Sequence, residues 1–208
     1  YKMMKEVFKL TDDDFREYTD DIGFDKVDLS DHPVKLAQEH IDALREIVGD
    51  EGISISDYDR LSVAYGFTAY DILRLRHKVI DSVPDVVLYP DTTEQVEKIV
   101  AYSTEHDIPL YVYGGGSSVT RGVEPVKGGI SLDMRRRFNK VISFNEIDQT
   151  ITVQAGMSGP DLEKTLQNAP ELFGAKRQYT CGHFPQSFEY SSVGGWTVTR
   201  GAGQNSTY

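Results

Sequence analysis

Apolar positions change their spacing several times along this chain, and each change marks an element. From Leu36, the residues Leu36, Ala37, His40, Ile41, Leu44, Ile47 and Val48 recur every three or four positions, which predicts one buried helical face. Pro33 is expected in the first turn of that helix, where its missing N–H is tolerated, and Gly49 is expected to stop it. A shorter helix is expected around Tyr70 to Arg76. Asp85-Val86-Val87-Leu88-Tyr89-Pro90 is an apolar run too short for a helix and closed by proline, so it reads as a buried strand. Thr92 and Gln95 have capping-box spacing. Val96, Ile99, Val100 and Ser103 then share a helical face, and strand patterning returns from Pro109 to Tyr113. Strand, helix and strand in this order predict a right-handed crossover between parallel strands.

Further on, Gly129-Ile130-Ser131-Leu132-Asp133, Lys140 to Phe144 and Thr150 to Ala155 are strand-like, with a polar hairpin turn around Ile147-Asp148-Gln149. These three strands are expected to form a meander. Ser158 and Asp161 offer an N-cap, and Leu162, Thr165, Leu166 and Ala169 one side of a short helix. One crossover, a meander and a helix make an α+β domain rather than a doubly wound sheet. Residues 1–30 show no period and carry the acidic runs Asp12-Asp13-Asp14 and Asp20-Asp21, as an arm or linker would. The division expected is a mainly helical N-terminal arm and segment over 1–82, followed by the α+β domain over 83–208.

Composition narrows the partners. The 208 residues carry 22 basic and 33 acidic side chains, a net charge of −11, which argues against nucleic acid or an anionic membrane surface. The one dense basic cluster, Arg135-Arg136-Arg137, lies between two strand-like runs and is expected to be a solvated turn. The single cysteine, Cys181, excludes an internal disulfide and a CxxC metal pattern, and favours a reducing, cytoplasmic setting. No histidine has metal-ligand spacing, so no metal is expected. No run of eighteen apolar residues occurs, and so no membrane span. The chain starts at Tyr1 and closes on Tyr208 without a helix or strand signal, and is expected to be part of a longer protein whose later region completes the active site.

Two stretches carry chemistry. In Tyr111-Val112-Tyr113-Gly114-Gly115-Gly116-Ser117-Ser118-Val119 a buried strand runs into three glycines and two serines. Glycines open backbone angles closed to other residues and let a ligand approach the main chain. Successive amides in such a loop form a nest for an anion, and hydroxyls beside it donate to phosphate oxygens. A pyrophosphate is the natural guest, and Gly115 is expected to leave the room it needs. The loop is neither a Walker sequence, since no Lys-Ser or Lys-Thr follows, nor a Rossmann fingerprint, since Val119 occupies a glycine site. The second stretch, Gly182 to Gly203, is rich in glycine and hydroxyls yet holds the only tryptophan, Trp196. A loop pressed against a flat ligand reconciles the two.

With Pro84-Asp85-Val86-Val87, the GGGSS loop, Ala155-Gly156-Met157-Ser158-Gly159 and Ser191-Ser192-Val193-Gly194-Gly195-Trp196 in this order, residues 83–208 resemble the FAD-binding domain of the vanillyl-alcohol oxidase and p-cresol methylhydroxylase (PCMH-type) superfamily. Within it the chain looks most like alkylglycerone-phosphate synthase and its bacterial relatives. The segment Asp59-Arg60-Leu61 to Leu73-Arg74-Leu75-Arg76 carries that likeness, as does Pro-x-Ser-x-Glu-x-Ser-x-Val-Gly-Gly-Trp at 185–196 with Thr199-Arg200 after it. Two places depart from the synthase pattern: Gln186 stands where it has Asp, and Tyr65-Gly66-Phe67-Thr68 where it has histidines.

The resemblance implies two small α/β subdomains that hold FAD. Val112, Tyr113, Gly114, Gly115, Gly116, Ser117 and Ser118 would wrap the pyrophosphate. Gln186, Ser187 and Ser192 would line the flavin or ribityl chain, and Thr199, Arg200, Gly201 and Ala202 would touch the cofactor after the Trp196 loop. Members that tether FAD often carry a histidine inside the first loop. Ser117 or its neighbour takes that place here, so non-covalent FAD is expected, with Cys181 and His183 as packing residues. The implied function is that of a flavin-dependent oxidoreductase resembling the synthase, acting on a small molecule such as an alkyl or acyl glycerone phosphate. An FAD-linked D-2-hydroxy-acid dehydrogenase of the D-lactate or glycolate type is the alternative, and a non-catalytic nucleotide-binding or interaction module is the alternative of another class. A homodimer is among the assemblies this leaves open. No catalytic residue is assigned.

Overall fold

The computed structural model describes residues 2–15 and 27–203; the Asp20-Asp21 run and residues 204–208 lie outside them. The first residues are more regular than their composition suggests, with helix α1 (Lys2–Phe8) and a 3-10 turn at Asp12–Phe15 that contains the first acidic run.

Helix α2 (Gln38–Val48) buries Ile41, Leu44 and Val48, the face that its spacing predicts. It starts later than expected, and Pro33 lies in extended chain ahead of it. The cause is a competing bond: the Lys35 amide donates to the Asp85 carboxylate at 2.7 Å, pinning that stretch beside the sheet. Gly49, at φ 78°, ends the helix as expected. A short strand, β1 (Ile53–Ser54), and two helices follow, α3 (Asp57–Ser62) and α4 (Ala69–Arg76). Ser56 caps α3, and Thr68 with Asp71 forms a complete capping box on α4.

The sheet then takes β2 (Val86–Leu88), helix α5 (Thr93–Glu105), β3 (Leu110–Tyr113) and β4 (Ile130–Asp133). Its strand order is β1-β2-β4-β3. β4 is parallel to both β2 and β3 and lies between them, so the meander expected for it is corrected. Its four residues are buried, as suits a central strand covered on both faces. On α5 Ile99 is fully buried while Val100 turns outward. Thr92 accepts the Gln95 amide, but Gln95 Oε1 takes the Asp91 amide at 2.7 Å, one residue before the reciprocal bond of a capping box.

A second layer begins with the antiparallel hairpin β5 (Val141–Asn145) and β6 (Thr150–Val153), followed by α6 (Gly159–Gln167), α7 (Ala169–Phe173) and α8 (Val193–Thr199). Ser158 caps α6 by accepting the Asp161 amide. Two cores result. Leu44, Val48, Val86, Leu88, Ile99, Ile130 and Leu132 join α2, α5 and the sheet. Met157, Leu162 and Leu166 join α6 to Val141, Phe144, Ile151 and Trp196. Each fully buried Leu or Ile contributes about 1.5–3 kcal/mol. The mixed α+β architecture with two small subdomains is therefore as expected. Residues 27–82 do not stand off as an arm: α2 packs into the first core, β1 pairs with β2, and Val63 packs on Val87 and Tyr113.

Candidate functional site

Because β2, β3 and β4 are parallel, the segments that leave them share one rim of the sheet. These are Tyr89-Pro90, Gly114 to Ser118, and Met134 to Arg137. The glycine loop occupies this rim next to the segment Tyr190-Ser191-Ser192, and its glycines are required by that neighbour. A Cβ on Gly114 would lie 2.6 Å from Ser192 Oγ, and one on Gly115 would lie 1.9 Å from the Tyr190 carbonyl oxygen. Gly116 has φ 71°, and its Cβ would lie 2.1 Å from the Tyr113 hydroxyl. Gly115 thus leaves room for another stretch of backbone, which corrects the expectation that its space is reserved for phosphate.

Among the described residues, none of the amides of Gly114, Gly115, Gly116, Ser117 and Ser118 donates to a backbone or side-chain acceptor. The Ser118 carbonyl accepts from Phe67 at 3.0 Å, which fixes the far end of the loop. The Tyr113 hydroxyl donates to the Tyr65 carbonyl at 3.3 Å, fixing the near end. Burial pushes the Tyr113 phenol above its ordinary range. Val112 points outward on the edge strand.

Two of the other motif segments close around this loop. Gly194 donates to the Ala155 carbonyl at 2.8 Å and Val193 to the Met157 carbonyl at 2.9 Å. A Cβ on Gly156 would lie 1.8 Å from the Met134 carbonyl oxygen, so this glycine permits contact with the turn after β4. Ser192 caps α8, and Ser191 Oγ accepts from Trp196 Nε1 at 2.6 Å. Between these segments runs a cleft of about 280 Å³, lined by Gly115, Gly156, Ser191, Ser192, Arg135 and Phe67, with Asn139, Asp161, Glu189 and Tyr190 at its sides.

The predicted site residues divide into two groups. Gly114 to Ser118 and Ser192 meet at or beside the cleft. Gln186 and Ser187 are exposed on the turn before the 3-10 segment Phe188–Tyr190, with Ser187 at φ 58°. Thr199 ends α8, its hydroxyl donating to the Gly195 carbonyl, and Arg200 at φ 50°, Gly201 and Ala202 follow. The seven residues of α8 put these about 10 Å from Ser192. Between the groups, Trp196 stacks on Phe188 at 5.8 Å and meets His183 edge-on at 5.6 Å, so its indole packs against side chains of its own chain. Cys181 Sγ donates to the His183 carbonyl at 3.2 Å, and burial pushes its thiol up.

The arginine turn is not simply solvated. Arg135 pairs with Asp133 at 2.7 Å and its guanidinium lies 4.5 Å from the Tyr113 ring centre. Arg136 lies 4.6 Å over Tyr89, and Arg137 reaches Asp91 at 3.8 Å. Arg136 and Arg137 line a separate cavity of about 600 Å³ with Tyr89 and Asp59. Burial, aided by the Asp59 carboxylate, pushes Tyr89 up to about 12. Sequence reasoning missed Arg135, Asn139 and Tyr190 at the cleft. An acidic residue closing a buried strand, with arginine two positions on, was the signal that could have found the first.

A profile described as an FAD binding domain matches residues 84–208, more than half of the chain, and the chain belongs to that family. The FAD-binding fold and the cofactor implied by the four motifs are thereby established. Within the family, the chain is 31% identical over 176 residues to an alkyldihydroxyacetonephosphate synthase of Trypanosoma brucei brucei, a match covering 82% of this chain and 27% of the relative. Dihydroxyacetone phosphate is glycerone phosphate under another name. A solved structure of an alkyldihydroxyacetonephosphate synthase superposes with a TM-score of 0.78 at 28% identity, covering 89% of this chain and 34% of that one. A mitochondrial D-lactate dehydrogenase (cytochrome) of Saccharomyces cerevisiae is 29% identical over 154 residues, 73% of this chain and 26% of the relative. The chain thus spans about a third or less of these relatives' length. No helix among the described residues is long and apolar enough to cross a membrane.

Proposed function

We infer that this chain is the cofactor-holding part of a longer FAD-dependent enzyme of the alkylglycerone-phosphate synthase kind, with FAD held non-covalently. The observation that carries this is the row of amides from Gly114 to Ser118, unpaired among the described residues, in a loop whose Gly115 lines a cleft that two other motif segments close. Such a row suits a diphosphate. FAD, when bound, supplies two-electron redox chemistry at its flavin ring. The residues of this chain bind and orient it. The Gly114–Ser118 amides and the Ser117 and Ser118 hydroxyls hold the diphosphate, with Val112 and Tyr113 positioning their loop. Ser192 fixes the facing wall. Gln186, Ser187, Thr199, Arg200, Gly201 and Ala202, grouped around Trp196, meet the remainder of the cofactor.

The side chains at hand support the non-covalent reading. The loop from Gly114 to Ser118 holds no histidine or cysteine. Cys181, hydrogen-bonded and raised in pKa, is a poor nucleophile. The substrate in this reading is an acyl or alkyl glycerone phosphate, and it needs residues beyond this chain. The likeness to D-lactate dehydrogenase favours a second reading, oxidation of a D-2-hydroxy acid.

The test uses the full-length protein. Acid precipitation should release a yellow supernatant with the spectrum of free FAD; flavin staying in the pellet would refute the non-covalent reading. Lactate- or glycolate-driven reduction of a dye would replace the synthase reading with the second one. Exchange of a fatty alcohol for the acyl group of acyl glycerone phosphate would support the first.

A further inference from the structure

We propose that Arg135 is the counter-charge that lets this cleft accept a diphosphate. The proposal rests on the FAD reading above and names the side chain on which it depends. The cleft is an unfavourable place for an anion by its other charges. Asp161 and Glu189 both line it, and among the described residues Arg135 is the one cation that does. The whole chain adds a net charge of −11. Backbone amides bring only partial charges, so a dianion entering beside two carboxylates needs one full positive charge close by.

Arg135 is built to supply it. Its own amide and Nε both donate to Asp133 Oδ1, at 2.9 and 3.0 Å, and Nη2 donates to Oδ2 at 2.7 Å. Asp133 is buried at the end of β4, so the anchor is rigid. One face of the guanidinium lies on the Tyr113 ring, and the Arg135 carbonyl accepts from Asn139 Nδ2 at 2.7 Å. One edge and one face of the guanidinium are therefore set, while Nη1 makes no bond to the described residues. An arginine held in this way loses little side-chain freedom when an anion arrives, and its charge-assisted bonds are strong. The rival role is purely internal, neutralisation of Asp133.

The experiment titrates full-length apoprotein with FAD across a range of salt concentrations, following flavin fluorescence. Arg135→Gln alone strands a buried carboxylate, so the informative variant is the pair Asp133→Asn with Arg135→Gln; Arg135→Lys is measured beside it. The paired variant should lose FAD affinity on the order of tenfold at low salt, the loss shrinking as salt screens the wild-type contact. Arg135→Lys should keep most of the affinity. A loss independent of salt, or none at all, would overturn the proposal and leave Arg135 as the partner of Asp133. Wild-type protein that binds no FAD at any salt concentration would instead sink the cofactor reading itself, a result recognisable without any variant.

Discussion

Gly115 shows how a residue can be selected for one reason and read for another. Three glycines after a strand are legible as an anion nest, and amides unpaired among the described residues agree with that, although the strand itself proves to be a half-exposed edge strand rather than a buried one. The physical demand on Gly115 itself comes from Tyr190 and Ser191, whose backbone passes so close that no Cβ fits. That neighbour lies 75 positions later in the sequence (190 minus 115), so no local pattern announces it. Gly115→Ala should push the two segments apart and destabilise the fold by about 1–3 kcal/mol, as overpacking does. Gly195→Ala is the control, since its Cβ would meet only Ser192 Oγ at 3.4 Å. Thermal melts of the two variants should differ by several degrees; equal melting temperatures would show that the loops are not in contact. Arg135 was hidden for a related reason. A run of three arginines in a turn looks solvated until the partners Asp133, Tyr89 and Asp91 are placed around it.

Among elements, the helices were the most legible part, because caps and apolar spacing are local. Ser158 and Thr92 accept where expected, and α4 lies where its residues suggested. Strand order was not legible, since nothing in β4 itself tells whether it pairs with a preceding neighbour or slides between two earlier strands. The joint between α4 and the segment after the glycine loop was equally silent. There Arg74, buried on α4, contacts Glu124 and Asp81 at 3.0 Å each, while Arg121 reaches Glu124 at 2.6 Å. Burial pushes Glu124 up, but hydrogen bonds from Arg121, Arg74 and Ser82 outweigh it and hold the carboxyl at about 2. Its folded-state value lies below its ordinary 4.5, so the stability it contributes is complete above about pH 4.5 and is lost as pH falls towards 2. Glu124→Gln should cost about 3 kcal/mol at neutral pH, because Arg74 loses the buried carboxylate to which its guanidinium donates at 3.0 Å. The variant's melting temperature should also fall less steeply between pH 4.5 and 2 than that of the wild type. A parallel fall in both would show that Glu124 is not the group responsible.

At the scale of the whole molecule, residues 27–82 are part of the structure that carries the site. α2 covers the sheet, β1 extends it, and the Arg60 guanidinium ties the His32 and Pro84 carbonyls together at 2.7 and 2.8 Å. A fragment starting at residue 83 should therefore expose the faces of Val86, Leu88 and Ile130 that α2 covers, and should aggregate or be digested quickly. Limited proteolysis of matched fragments starting at 27 and at 83 checks this; equal resistance would mean that the sheet stands without α2 and β1. The placement of β4 between two earlier strands has its own consequence during synthesis. A nascent chain that has delivered β2 and β3 cannot join them, because the strand that belongs between them is still inside the ribosome. One edge of β2 stays unpaired until Asp133 emerges, and that interval is when a chaperone has something to hold.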